Sequence, residues 1–164
     1  MSRRGVAVAG MLGVTALAWS PLAPRLVWNV TASAPTGLYW VEPRQTAARG
    51  DLVLARLPET VRTLAAERNY LPMTVPAVKR VEATAGDRIC GVGDEITVDG
   101  RVAARRLPAD RRGRALPAWQ GCHVLLGNEV FLLMEGVPDS FDGRYFGATE
   151  TGQIIGRLVP LWTR

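Results

Sequence analysis

An uncharged apolar run opens the chain, GVAVAGMLGVTALAWSPLAP at residues 5–24, and after it charges, glycine and proline cut the sequence into short segments. About 20 apolar residues in a helix span roughly 30 Å, close to the hydrocarbon thickness of a bilayer, and Pro21 and Pro24 end that helix. Further on, GLYWVE at 37–42 and DLVLARL at 51–57 are rich in aromatic or branched residues and predict strands, with Pro43 and Gly50 in the polar connection. PETVRTLAAER at 58–68 predicts a short helix, because Pro58 suits a helix start and Val61, Leu64 and Ala65 share helical spacing. VPAVKRVEA at 75–83 alternates in part. EITVDGRVA at 95–103 predicts a hairpin around Asp99 and Gly100, and HVLLGNEVFLLME at 123–135 another around Gly127 and Asn128. GQIIGRLVPLW at 152–162 supplies a final strand.

Short strands with one or two short helices predict a mainly β domain with a coiled or barrel-like sheet, preceded by an N-terminal transmembrane helix. The chain has 164 residues, enough for one domain with a substantial core. The division expected is 1–27 as leader and membrane anchor and 28–164 as the folded domain. Arg3 and Arg4 precede the apolar run and Arg25 follows it. The positive-inside tendency then leaves the leader in the cytoplasm and the domain on the periplasmic or extracytoplasmic side of the inner membrane. A cleaved signal peptide is the other reading, since Ala16, Leu17 and Ala18 resemble a cleavage site. Either way the domain is exported, and in an oxidising compartment Cys90 and Cys122, the only two cysteines, have one possible pairing. Two buried free thiols are the alternative.

The formal charge is +5, and RVAARRLPADRRGR at 101–114 carries six arginines against Asp110. This basic run fits a solvated connection, or a surface that meets anionic lipid or an acidic partner. No aromatic residue is interleaved to stack on bases, which argues against nucleic acid. With His123 the only histidine, no metal site is expected, and no cofactor. Lys79 is the one lysine among 20 lysine and arginine residues. Arginine replaces lysine wherever charge alone is wanted but cannot give up its proton in a protein, so Lys79 is either an accident of composition or a candidate neutral amine. Of four serines, Ser33 stands in a turn that Pro35 and Gly37 bend immediately before a strand. A lysine desolvated in an apolar pocket can take the proton of such a hydroxyl.

The run N-x-T-x-S-x-P-x-G-L-Y from Asn29 to Tyr39 resembles the nucleophile box of the type I signal peptidase superfamily, in its conjugative-transfer (TraF-type) branch. VKRVEATAGD at 78–87 resembles its lysine box, and SFDGRYFG at 140–147 its third box. The three come in family order. The resemblance implies a signal-peptidase-like fold with Ser33 as nucleophile and Lys79 as general base. Thr31 would assist the Ser33 backbone N–H at the oxyanion, and Ser140, Asp142 and Arg144 would support the lysine. Gly143 departs from the pattern, where many members have serine.

A peptidase of this kind would act on a membrane-tethered precursor beside the lipid bilayer, within a conjugation or secretion apparatus. A pilin subunit is the expected precursor, cut or cyclised. A general type I signal peptidase and a non-catalytic assembly module are the alternatives.

Overall fold

The computed structural model describes residues 25–43 and 47–164. The apolar run at 5–24, and with it the choice between anchor and signal peptide, lies outside the described residues. No helix among the described residues is long and apolar enough to cross a membrane.

The strands are β1 (Leu26–Asn29), β2 (Gly37–Glu42), β3 (Leu52–Ala55), β4 (Ala77–Ala83), β5 (Arg88–Val92), β6 (Glu95–Val98), β7 (Arg101–Arg105), β8 (Gly121–Val124), β9 (Glu129–Leu133), β10 (Thr149–Glu150) and β11 (Ile154–Thr163). Helix α1 covers Glu59–Glu67 and the single turn α2 covers Gly143–Phe146. A seven-stranded sheet has the order β1-β2-β11-β3-β4-β9-β10, and a four-stranded sheet has the order β7-β6-β5-β8. The fold is therefore mainly β with two short helices, as the periodicity predicts. β1 begins at Leu26, so Leu26 and Val27 already belong to the sheet.

Local chemistry accounts for most of these elements. Pro58 caps α1, and Val61 and Ala65, four residues apart, are its buried positions. Asp99 and Gly100 both take positive φ, at 49° and 81°, as the two-residue turn between β6 and β7 requires. β4, a strand inside the larger sheet, is buried on both faces except at Arg80, which is why its alternation is only partial. Gly37, at φ 146°, begins β2 hard against β11, where a Cβ would stand 2.1 Å from the Trp162 carbonyl oxygen.

The hairpin expected over 123–135 does not form. β8 pairs with β5 in the smaller sheet, whereas β9 pairs with β4 and β10 in the larger one. Two facts override the Gly127–Asn128 turn signal. Leu125 is 2% exposed and drops between the sheets, its N–H bonding to the Asp87 carbonyl at 2.9 Å. Cys122 faces Cys90 across β5 and β8 and is bonded to it. The seam between the sheets is the cluster of Ala83, Ile89, Ile96, Val98, Leu125, Phe131 and Leu133. The basic run at 101–114 also divides. Arg101 and Arg105 lie in β7, paired with Glu82 and Glu135 and with Asp94 and Glu95 respectively, and only the part after β7 is a loop.

Candidate active site

Ser33 sits in the turn that joins β1 to β2, and a buried asparagine shapes that turn. Asn29, 4% exposed, donates from Nδ2 to the carbonyls of Thr31, Ala34 and Pro35 at 3.0–3.1 Å. Its Oδ1 accepts the Thr31 N–H at 3.1 Å and the Thr31 hydroxyl at 2.7 Å. The Tyr39 hydroxyl closes the far side on the Pro35 carbonyl at 2.7 Å. With its proton committed to Asn29, Thr31 Oγ1 is left as an acceptor for Ser33 Oγ, 3.4 Å away. To serve an oxyanion, the Thr31 hydroxyl must turn away from Asn29.

Lys79 is held on β4 opposite Val53 of β3, 5% exposed. Its Nζ donates to Ser140 Oγ at 2.8 Å. Burial strips the ammonium of water and lowers the pKa to about 8; the Asp142 carboxylate pulls it up again and the Arg144 guanidinium pushes it down. Asp142 and Arg144, 0% and 2% exposed, form a two-pronged pair, Nε to Oδ1 at 2.8 Å and Nη2 to Oδ2 at 3.1 Å. Asp142 also accepts the N–H groups of Met134 and Arg144, the second as the cap of α2. Arg144 spends its other donors on the carbonyls of Met134, Pro138 and Arg105. Every charge in this buried knot is matched, and Ser140 is carried inside it towards Lys79.

Ser33, Thr31, Lys79 and Ser140 line one cleft of about 870 Å³, largely apolar, with Leu54, Leu57 and Val78 among its walls. Among the described residues no hydrogen bond joins Ser33 to Lys79 directly; the cleft is what they share. A hydroxyl in a constrained turn, a desolvated amine and an apolar groove make an arrangement suited to acyl transfer.

The family described as signal peptidase, peptidase S26, matches residues 2–162. The chain belongs to that family. Within it, the chain resembles the conjugative-transfer, TraF-type branch. A plasmid transfer protein TraF of Escherichia coli is 35% identical over 97% of this chain and 94% of its own length. A conjugal transfer protein TraF of Agrobacterium fabrum (strain C58 / ATCC 33970) is 34% identical over 82% and 81%. Among solved structures, a signal peptidase I from Enterococcus faecalis V583 covers 70% of this chain and 97% of that one, at a TM-score of 0.40 and 16% identity.

Gly143, the departure from the pattern in the signal peptidase third box, has a steric cause here. A Cβ at that position would lie 2.7 Å from both the Leu132 carbonyl oxygen and the Phe131 ring. Asn29 is the residue whose part sequence reasoning missed; its signal was an asparagine at a strand end directly before a turn rich in small residues and proline. Cys90 and Cys122 are bonded in the smaller sheet and do not line the cleft.

Proposed function

We propose that this member of the signal peptidase family is a membrane-anchored serine endopeptidase that cuts a membrane-tethered precursor, a conjugative pilin subunit, with Ser33 as nucleophile and Lys79 as base. The observation that carries the reading is the lone lysine, buried with its pKa near 8, opening on the same apolar cleft as Ser33. Ser33 gives its proton to neutral Lys79 as Oγ attacks the peptide carbonyl. The ammonium then protonates the departing amine and leaves an ester on Ser33. Water, deprotonated by Lys79, releases the acyl group; an amine from the substrate's own start would release it as a ring. Direct contact between Ser33 and Lys79 belongs to the reacting complex, since catalytic hydrogen bonds tighten when substrate closes a site. β1 ends the larger sheet beside the cleft, so an extended precursor segment can add to its open edge. The TraF names of the relatives support a substrate from the transfer apparatus.

Mass spectrometry of pilin precursors incubated with the native chain and with Ser33→Ala tests the reading. Expected is one cut site, with a linear or cyclic product, absent in Ser33→Ala and in Lys79→Arg; cleavage that survives either substitution overturns it. Processing of many unrelated exported proteins would point instead to a general signal peptidase.

A further inference from the structure

Away from the serine, the cleft changes character. Its lining includes Arg68, Arg111, Arg112 and Arg114 against Asp110 and Asp139, so this rim is net positive. The loop at 107–116 that carries three of these arginines is built around Asp110. Its Oδ1 accepts the N–H groups of Arg112 and Arg114 at 2.9 Å, and its Oδ2 accepts Arg114 Nε at 2.7 Å and the Tyr70 hydroxyl. Arg114 also lies over the Tyr70 ring and donates to the Arg68 carbonyl, while Arg68 donates to the Ala115 carbonyl at 2.9 Å. Arg68 and Arg114 are thus committed to holding the loop in place. Arg111 and Arg112, at its tip, are not. Arg111 pairs only with Asp139, in the open, a bond that another carboxylate could replace at little cost. The Arg112 guanidinium has no partner among the described residues. The residue after Asp139 is Ser140, the partner of the Lys79 amine. Through Asp139, Arg111 therefore stands within a few residues of the reacting end, at about 3.3 Å per residue of extended chain, and Arg112 lines the same cleft beside it.

A merely solvated basic loop needs no such anchoring. We propose that Arg111 and Arg112 form a subsite that reads an acidic side chain of the precursor, a few residues from the bond that is cut. The proposal rests on the peptidase reading for its substrate. Arginine's planar fork suits a carboxylate, and a rim set in an apolar cleft gives that pairing a fixed register. The other anion within reach of such a rim is a lipid phosphate.

The test uses the full chain in lipid nanodiscs, with Ser33→Ala to prevent turnover. Fluorescence anisotropy follows labelled decapeptides of alanine, leucine and valine, each carrying one Glu at a scanned position, beside twins with Gln. The best Glu peptide is expected to bind about fivefold more tightly than its twin. That preference should vanish in Arg111→Gln/Arg112→Gln, and Arg112→Glu should favour a Lys peptide instead. Equal binding of the twins, or no binding by any Glu peptide, overturns the subsite. So does an arginine effect confined to sedimentation with phosphatidylglycerol vesicles, which would make lipid the ligand. In the active chain, cut peptides should be enriched in Glu at the same position. Discrimination of Glu from Gln with no Ser33-dependent cleavage would sink the peptidase reading and leave the subsite standing.

Discussion

Lys79 carries its amine at a pKa of about 8 in the fold, against an ordinary value of 10.5 in an unfolded chain. Between those values the unfolded chain binds a proton that the folded one does not, so stability rises with pH across that window. Below it, the folded protein bears the cost of a buried ammonium, about 3 kcal/mol at a little over 1.3 kcal/mol per pH unit. Lys79→Met should therefore be the more stable protein in urea melts at pH 7, by roughly 2 to 3 kcal/mol. Its advantage should shrink as pH rises from 8 towards 10.5. A gap that ignores pH would mean that the amine titrates as if in water. The same proton governs rate, and kcat/KM for precursor cleavage should climb about tenfold per pH unit below 8 and level off above it. A flat profile argues against a lysine base.

At the scale of elements, the connection from β9 into α2 is fixed by one buried ion pair rather than by secondary structure. Replacing Asp142 with Asn keeps the shape but strands the Arg144 guanidinium, 2% exposed, without its counter-charge. The expected loss is about 3 to 5 kcal/mol by chemical denaturation. The double change Asp142→Asn/Arg144→Gln should cost clearly less than the two single losses added. Additive losses would show that the pair is not a unit. This connection also marks how far the sequence could be read. Strands with aromatic or branched runs, the helix after Pro58 and the Asp99–Gly100 turn follow from local preference, and local preference prevailed there. Ser33, Lys79 and Ser140 were legible as family boxes, and the fold brings all three to one cleft. β8 was misassigned because Gly127–Asn128 favours a tight turn, while the burial of Leu125 and the bond from Cys122 to Cys90 are long-range facts that no local window contains. The anchoring of loop 107–116 by Tyr70 was hidden for the same reason, since 40 positions separate Tyr70 from Asp110.

Considered whole, the molecule divides its labour between two sheets. The larger sheet, with the turn beside β1 and with β4, carries Ser33 and Lys79; the smaller one carries the disulfide, at a sequence separation of 32. Closing a loop of that size removes unfolded-state entropy equivalent to roughly 4 kcal/mol. Cys90→Ser/Cys122→Ser should therefore lower the melting temperature measured by circular dichroism while leaving precursor cleavage at 20 °C within about twofold, since a bond that does not line the cleft acts mainly on the unfolded chain. A large loss of activity at that temperature would show that the two sheets are coupled. The order of strands has a further consequence, concerning time rather than energy. Among the described residues, β11 follows every other strand, yet it lies between β2 and β3 and is the only strand that links the half of the larger sheet next to Ser33 to the half that holds Lys79. During synthesis both halves can leave the ribosome before the strand that joins them exists. The strands that carry Ser33 and Lys79 are therefore joined into one sheet only once Ile154–Thr163 has been made.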